Sequence, residues 1–198
     1  MNITSELVKA LRDKTLAGMM DCKEALKAAE GDMEKAVDYL RKKGLATAQK
    51  RAGRTTSQGQ VGSYIHAGGK IGVLVEVNCE TDFVGRTEQF AELVHNLAMH
   101  IAAANPVCVR REEMPGELLE KEKEIYRAQA KETGKPEKVI EKIVEGKVEK
   151  FFKEACLMEQ AYVKNPDISI TDLLNEKVSQ IGESITIRRF ARYQLGEE

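Results

Sequence analysis

Apolar residues recur with helical spacing in three short groups near the start of the chain: Leu7, Val8 and Leu11; Ala25, Leu26 and Ala29; Ala36, Val37 and Leu40. Gly18 precedes a break that carries Met19 and Met20. Gly31-Asp32 supplies a turn and an N-cap for the third helix, which the pattern predicts to stop at Gly44. Residues 1–44 therefore read as a compact three-helix domain, near the lower size limit for independent folding. Residues 45–59 lose the periodicity and gather small, polar and basic side chains, the composition of a linker. From residue 60 the pattern changes. Residues 61–67 and 70–79 are rich in β-formers around Gly68-Gly69 and predict a hairpin, with Ile71, Val73, Val75, Val77 and Cys79 on one face. Phe90, Leu93, Val94, Leu97, Ala98 and Ile101 then predict an amphipathic helix with Thr87 as N-cap, ending before Asn105-Pro106. Residues 118–131 and a stretch holding Val139, Ile140, Ile143, Val144, Val148, Phe151 and Phe152 flank Gly134-Lys135-Pro136. They predict a projecting antiparallel helical hairpin near residues 117–156. A short helix over 171–180 and an alternating strand over 185–193 complete the chain. Strands separated by several helices, the first two forming a hairpin, favour an α+β fold: a three-helix domain, then a small antiparallel sheet packed with helices over residues 60–198.

Composition narrows the function classes. The 198 residues hold 31 Lys+Arg against 32 Asp+Glu, a net charge of −1, so no global field draws the chain to nucleic acid or an anionic membrane. The charge is uneven, +4 over residues 1–59 and −5 over the rest. With 42% hydrophobic residues the chain lies well outside the disordered class. Cys22, Cys79, Cys108 and Cys156 lie far apart with no zinc-site spacing, so no metal is expected and the thiols read as small buried hydrophobes. The opening Met1-Asn2-Ile3-Thr4-Ser5-Glu6 carries neither a leader nor a transit pattern, and the expected location is cytoplasmic.

Catalytic signals are weak. Gly69-Lys70 and Gly134-Lys135 are followed by Ile71 and Pro136 and lack the upstream glycine of a phosphate loop, so no direct nucleotide binding and no cofactor are expected. His95 and His100 are five apart, about 140° around a helix, and cannot converge on one metal. Glu80 and Asp82 alternate at a strand end without a neighbour placed to split their pKa values, which favours a solvated turn over an acid/base pair. Arg41, Lys42, Lys43, Lys50, Arg51 and Arg54 leave open an RNA-binding module using the basic linker. The alternative is a solvated helix terminus favoured by the helix dipole. More informative are apolar residues where turns should be polar: Met19-Met20 between two helices, and Phe83-Val84 after Thr81-Asp82. Such loops either plug their own core or meet a partner, and the residues alone leave both open.

Two long segments carry a resemblance. Residues 11–26 (LRDKTLAGMMDCKEAL) and 76–84 (EVNCETDFV) are similar to the two signatures of the bacterial elongation factor Ts family, and short matches such as Ser63-Tyr64-Ile65-His66 and Ile187-Arg188-Arg189-Phe190 extend the likeness over nearly the whole chain. Two positions depart from the family pattern: Leu16 stands where it commonly has Gly, and Gly85 where it usually has Ala or Ser. The resemblance implies a ubiquitin-associated-like (UBA-like) N-terminal domain and a guanine-nucleotide exchange factor, not an enzyme. The partner it implies is elongation factor Tu, GDP-bound and nucleotide-free. It further implies that Thr81, Asp82, Phe83 and Val84 disturb the partner's magnesium and phosphate site and that Arg12, Met19 and Met20 dock the N-terminal domain. His66 is a lesser contact, and short members of this length are expected to act as homodimers.

Overall fold

Thr4 starts the first helix: its hydroxyl accepts the Leu7 N–H, as an N-cap should, and α1 runs Ser5–Thr15. Helix α2 spans Met19–Ala28, and α3 begins at Met33, where the Asp32 carboxylate accepts the Glu34 and Lys35 N–H groups. The computed structural model describes residues 3–51 and 53–197. Met1, Asn2, Ala52 and Glu198, which the sequence reading assigns to the N-terminal domain, the linker and the core domain, lie outside the described residues. Val8, Leu11, Cys22, Ala25, Leu26, Ala29 and Ala36 form the buried centre of the three helices, and all but Cys22 come from the three predicted stripes.

Two expectations here need correcting. Helix α3 does not stop at Gly44 but continues to Arg51, so residues 45–51, read as linker, are helical. Gly44 is buried, and a Cβ there would lie 3.3 Å from Cβ of Ser179, so the helix passes this neighbour at close range rather than ending. Met19 and Met20 are likewise not loop residues; they open α2 behind the N-cap Gly18.

Strand β1 (Gln58–Ile65) and strand β2 (Ile71–Cys79) form the predicted hairpin, and the final strand β5 (Ile185–Gln194) adds to β2, giving the sheet order β1-β2-β5. Leu195 N–H donates to the Lys70 carbonyl at 2.8 Å, so the end of β5 meets the start of β2 and the pair is antiparallel. Between them come a four-residue helix α4 (Asp82–Gly85), α5 (Glu88–Ala104), α6 (Gly116–Lys131), α7 (Glu137–Ala155), a two-stranded ribbon of β3 (Ala161–Tyr162) and β4 (Asn165–Ser169), and α8 (Ile170–Ile181). The fold is α+β, as the pattern predicts. The short β3–β4 ribbon and α4 escape the periodicity argument, being too brief to repeat.

The chain divides into two compact units that do not follow the predicted boundaries. One takes in the described residues up to Gly59 with Asn78–Phe90 and Asp172–Thr186; the other holds Gln60–Val77, Ala91–Thr171 and the residues from Ile187 onward. In the second unit, α6 and α7 pack through Ala130, Ile140, Val144 and Val148 as the predicted helical pair. At its base Cys108 and Cys156 meet with sulfurs 3.6 Å apart, and Arg111 pairs with Glu149 and Glu159 while lying over the Phe152 ring. Burial, and next the neighbouring Cys108, push the Cys156 thiol up to about 12, so both act as packing groups.

His100 is fully buried in the same unit. Its Nδ1 accepts the Val163 N–H at 3.2 Å, so Nε2 carries the proton and donates to Oε1 of Gln160 at 3.0 Å. Gln160 in turn donates to the carbonyls of Ala104 and Glu154. Every polar atom of this network is used only while the ring is neutral, and burial lowers the His100 pKa below its ordinary value. A folded pKa below the unfolded one means that the unfolded chain takes up the extra proton, so stability is full above pH ~6.5 and falls as the pH drops below it. The expected result is a thermal midpoint that declines between pH 7 and 5.5 in the native chain and no longer does so in His100→Gln; an identical decline in both would exclude His100 as the cause.

Candidate partner-binding site

The end of β2 delivers a buried Cys79, then Glu80 and Thr81, and the chain turns through α4 before α5 begins. Thr81 caps this turn, its hydroxyl accepting the Val84 N–H, and the exposed Asp82 pairs with Arg86 at 2.7 Å. Phe83, the second residue of α4, is 89% exposed, whereas Gly85 is buried. Phe83 therefore does not plug the core of its own unit. Val84 is half-buried. Burial, and next the nearby Glu183 charge, push the Cys79 thiol up, so it is a protonated packing group.

In the same unit Arg12 is exposed on α1, and Met19 and Met20 stand 48% and 73% exposed at the start of α2. The α1 C-cap beside them, Leu16, is 60% exposed and adopts a left-handed conformation (φ 54°) that a glycine would take without a Cβ penalty. The predicted contact residues Arg12, Met19, Met20, Thr81, Asp82, Phe83 and Val84 thus all belong to one compact unit. His66 does not: it lies in the other unit, exposed at the end of β1, with Nδ1 3.1 Å from the Tyr64 hydroxyl.

Much of the basic cluster is paired within the chain. Arg41 meets Asp172 at 3.7 Å, and Lys43 bridges Asp21 and Glu24. Arg51 and Arg54 reach Glu80 at 3.7 and 3.3 Å. The Ser184 N–H, then the Arg54 guanidinium, hold the Glu80 carboxyl below the ordinary carboxylate range. Four of the six cations of the cluster, Arg41, Lys43, Arg51 and Arg54, thus meet carboxylates of this chain. Glu80 is also no member of an acid/base pair, since Asp82 turns to Arg86 instead.

Sequence reasoning missed Glu183, whose carboxylate accepts the N–H groups of Glu80 and Thr81 and the Thr81 hydroxyl. The one local cue was Gly182, which closes α8 in a left-handed conformation at φ 82° and turns Glu183 out of the helix.

Among the described residues no group of three or more His, Cys, Asp or Glu is arranged to hold a metal ion, and no helix is long and apolar enough to cross a membrane. Residues 2–197 match the family model described as Elongation factor TS. The chain belongs to the elongation factor Ts family. It is 65% identical over 195 residues to an elongation factor Ts from Desulfosudis oleivorans, covering 98% of both chains. The relative from Geobacter sulfurreducens is 64% identical over 197 residues, all of this chain and 91% of the relative. One from Moorella thermoacetica is 63% identical over 190 residues, covering 96% and 94%.

The geometry at Gly85 makes a direct prediction. A Cβ built on Gly85 meets Gly59 Cα at 3.4 Å and Cys79 Sγ at 3.6 Å, ordinary contact distances. Gly85→Ala should therefore stabilise the chain by about 0.5–1 kcal/mol through reduced freedom of the unfolded state. Thermal unfolding should shift upward by roughly 1–4 °C; a lowered midpoint would mean that the turn cannot take the methyl group.

Proposed function

We propose that the chain is a guanine-nucleotide exchange factor of translation elongation that binds elongation factor Tu, GDP-bound and nucleotide-free, and accelerates GDP release. The observation that carries this reading is Phe83, 89% exposed on a turn whose backbone is tied down on both sides. An aromatic side chain held in water by a fixed turn is prepared for burial in another molecule. In this reading Thr81, Asp82, Phe83 and Val84 enter the partner's nucleotide domain and disturb its magnesium and phosphate site, while Arg12, Met19 and Met20 dock the N-terminal helices. The exposed thioethers suit that second role because they adapt to an irregular surface.

Exchange is negative coupling: factor and nucleotide each lower the other's affinity for the same GTPase, so the factor must bind the empty form more tightly. A thousandfold faster release needs ~4 kcal/mol off the barrier, and burying one phenylalanine supplies ~1.5–3 kcal/mol. The remainder comes from lost magnesium and phosphate contacts in the partner, where octahedral oxygen coordination tolerates little displacement. No nucleotide site of its own, no membrane and no catalytic residue are required. The family resemblance also supports a homodimer, for which Val61 and Ile65, alternating on β1, and Leu74 on β2 offer exposed apolar surface.

Stopped-flow release of a fluorescent GDP from elongation factor Tu tests the reading. The native chain should accelerate release, Phe83→Ala should lose about tenfold or more of the stimulation with unchanged circular dichroism, and Met19→Ala/Met20→Ala should bind the partner more weakly. A Phe83→Ala chain that stimulates normally sinks the role of the turn. For the assembly, light scattering at micromolar concentration should give twice the 22.1 kDa chain mass; a single-chain mass refutes the dimer.

A further inference from the structure

Two segments about a hundred residues apart exchange carboxylates. Glu183 Oε2 accepts the N–H groups of Glu80 at 3.1 Å and Thr81 at 3.0 Å, and Glu183 Oε1 accepts the Thr81 hydroxyl. In return Glu80 Oε1 accepts the Ser184 N–H at 2.7 Å, while its other oxygen meets Arg54 beyond the end of α3. The Thr81 hydroxyl, donating to Glu183, accepts the Val84 N–H at 3.4 Å, so the restraint continues into the turn that carries Phe83. We propose that Glu183 is a positioning residue for exchange: its carboxylate presets the Thr81–Val84 turn, and without it Phe83 still reaches the partner but is no longer held in the productive orientation.

The chemistry favours this role over a purely structural one. Thr81, Asp82 and Phe83 are exposed, so packing reaches the turn only at the half-buried Val84 and the buried Gly85, and α4 is too short to be a stable helix by itself. Three hydrogen bonds to one charged acceptor therefore do what packing does elsewhere, and charge-assisted bonds of this kind are the stronger class. Gly182, at φ 82°, lets the chain leave α8 and present Glu183 to these donors within one residue. A turn ordered beforehand avoids the entropy loss on binding and places its side chain in register with the partner.

The inference rests on the exchange reading above, and its test separates the two. Glu183→Ala and Glu183→Gln are compared with the native chain in stopped-flow GDP release from elongation factor Tu over a range of factor concentrations. In parallel, hydrogen exchange follows the backbone amides of residues 80–84 in the free factor. Glu183→Ala should lower the maximal stimulated rate about tenfold while the half-saturating concentration changes less than about twofold. Glu183→Gln, which keeps one acceptor oxygen, should fall between. The amides of Glu80 and Thr81 should exchange faster in Glu183→Ala, with α1, α2 and α5 still protected. Unchanged amides overturn the bracing, and a native maximal rate despite faster amides overturns its role in exchange. A rise in half-saturating concentration with a native maximum, or protection lost throughout α1, α2 and α5, would assign Glu183 to docking or to general stability and equally overturn the proposal. If the native chain itself fails to accelerate release, the exchange reading falls, and the amide measurement alone judges the bracing.

Discussion

A large aromatic side chain left in water has no hydrophobic reason to stay in one place. Phe83 forgoes the ~1.5–3 kcal/mol that burial would give it, and its neighbours Thr81 and Asp82 are exposed as well. What localises this turn is polar: the Thr81 cap within it and the Glu183 carboxylate beneath it. Much else in its unit can be understood as support for that anchorage. Helix α8 is itself tied to α1 by Gln180, which donates to the Thr15 carbonyl at 2.8 Å, and α3 approaches α8 closely enough that a Cβ at position 44 would lie 3.3 Å from Cβ of Ser179. Arg51 and Arg54, at and just beyond the end of α3, close the arrangement on Glu80.

The other unit follows a different logic. Its stability comes from continuous apolar faces, Val73, Val75 and Val77 on β2, Leu93, Val94, Leu97, Ala98 and Ile101 on α5, and the seam between α6 and α7. Its buried polar groups, His100 and Gln160, are satisfied by one another and by backbone groups. At Gly62 the backbone of β1 comes so near α5 that a Cβ would fall 2.2 Å from a methyl of Val94, so the sheet lies directly on that helix.

The elements that the sequence revealed are those whose periodicity runs long enough to count. α5, β2, the α6–α7 pair and β5 were legible because each repeats its apolar positions over two or more turns or several alternations. The extension of α3 to Arg51 was not, since Ala, Thr, Gln, Lys and Arg serve a solvated helix and a linker equally well. Within the site, Phe83 was conspicuous as an apolar residue among turn formers, and the family signature supplied its expected role. Whether it was buried could not be read from its neighbours, because that depends on what packs behind Gly85 and Cys79. Glu183 was missed for a plainer reason. The helix-ending glycine before it marks a change of direction but not which amides the carboxylate will meet.

The separation of Glu183 from Thr81, 102 positions, has a consequence for synthesis. The ribosome makes the segment carrying Phe83 about a hundred residues before the carboxylate that braces it. A nascent chain can therefore assemble its first three helices well before its most exposed aromatic residue is locked in position.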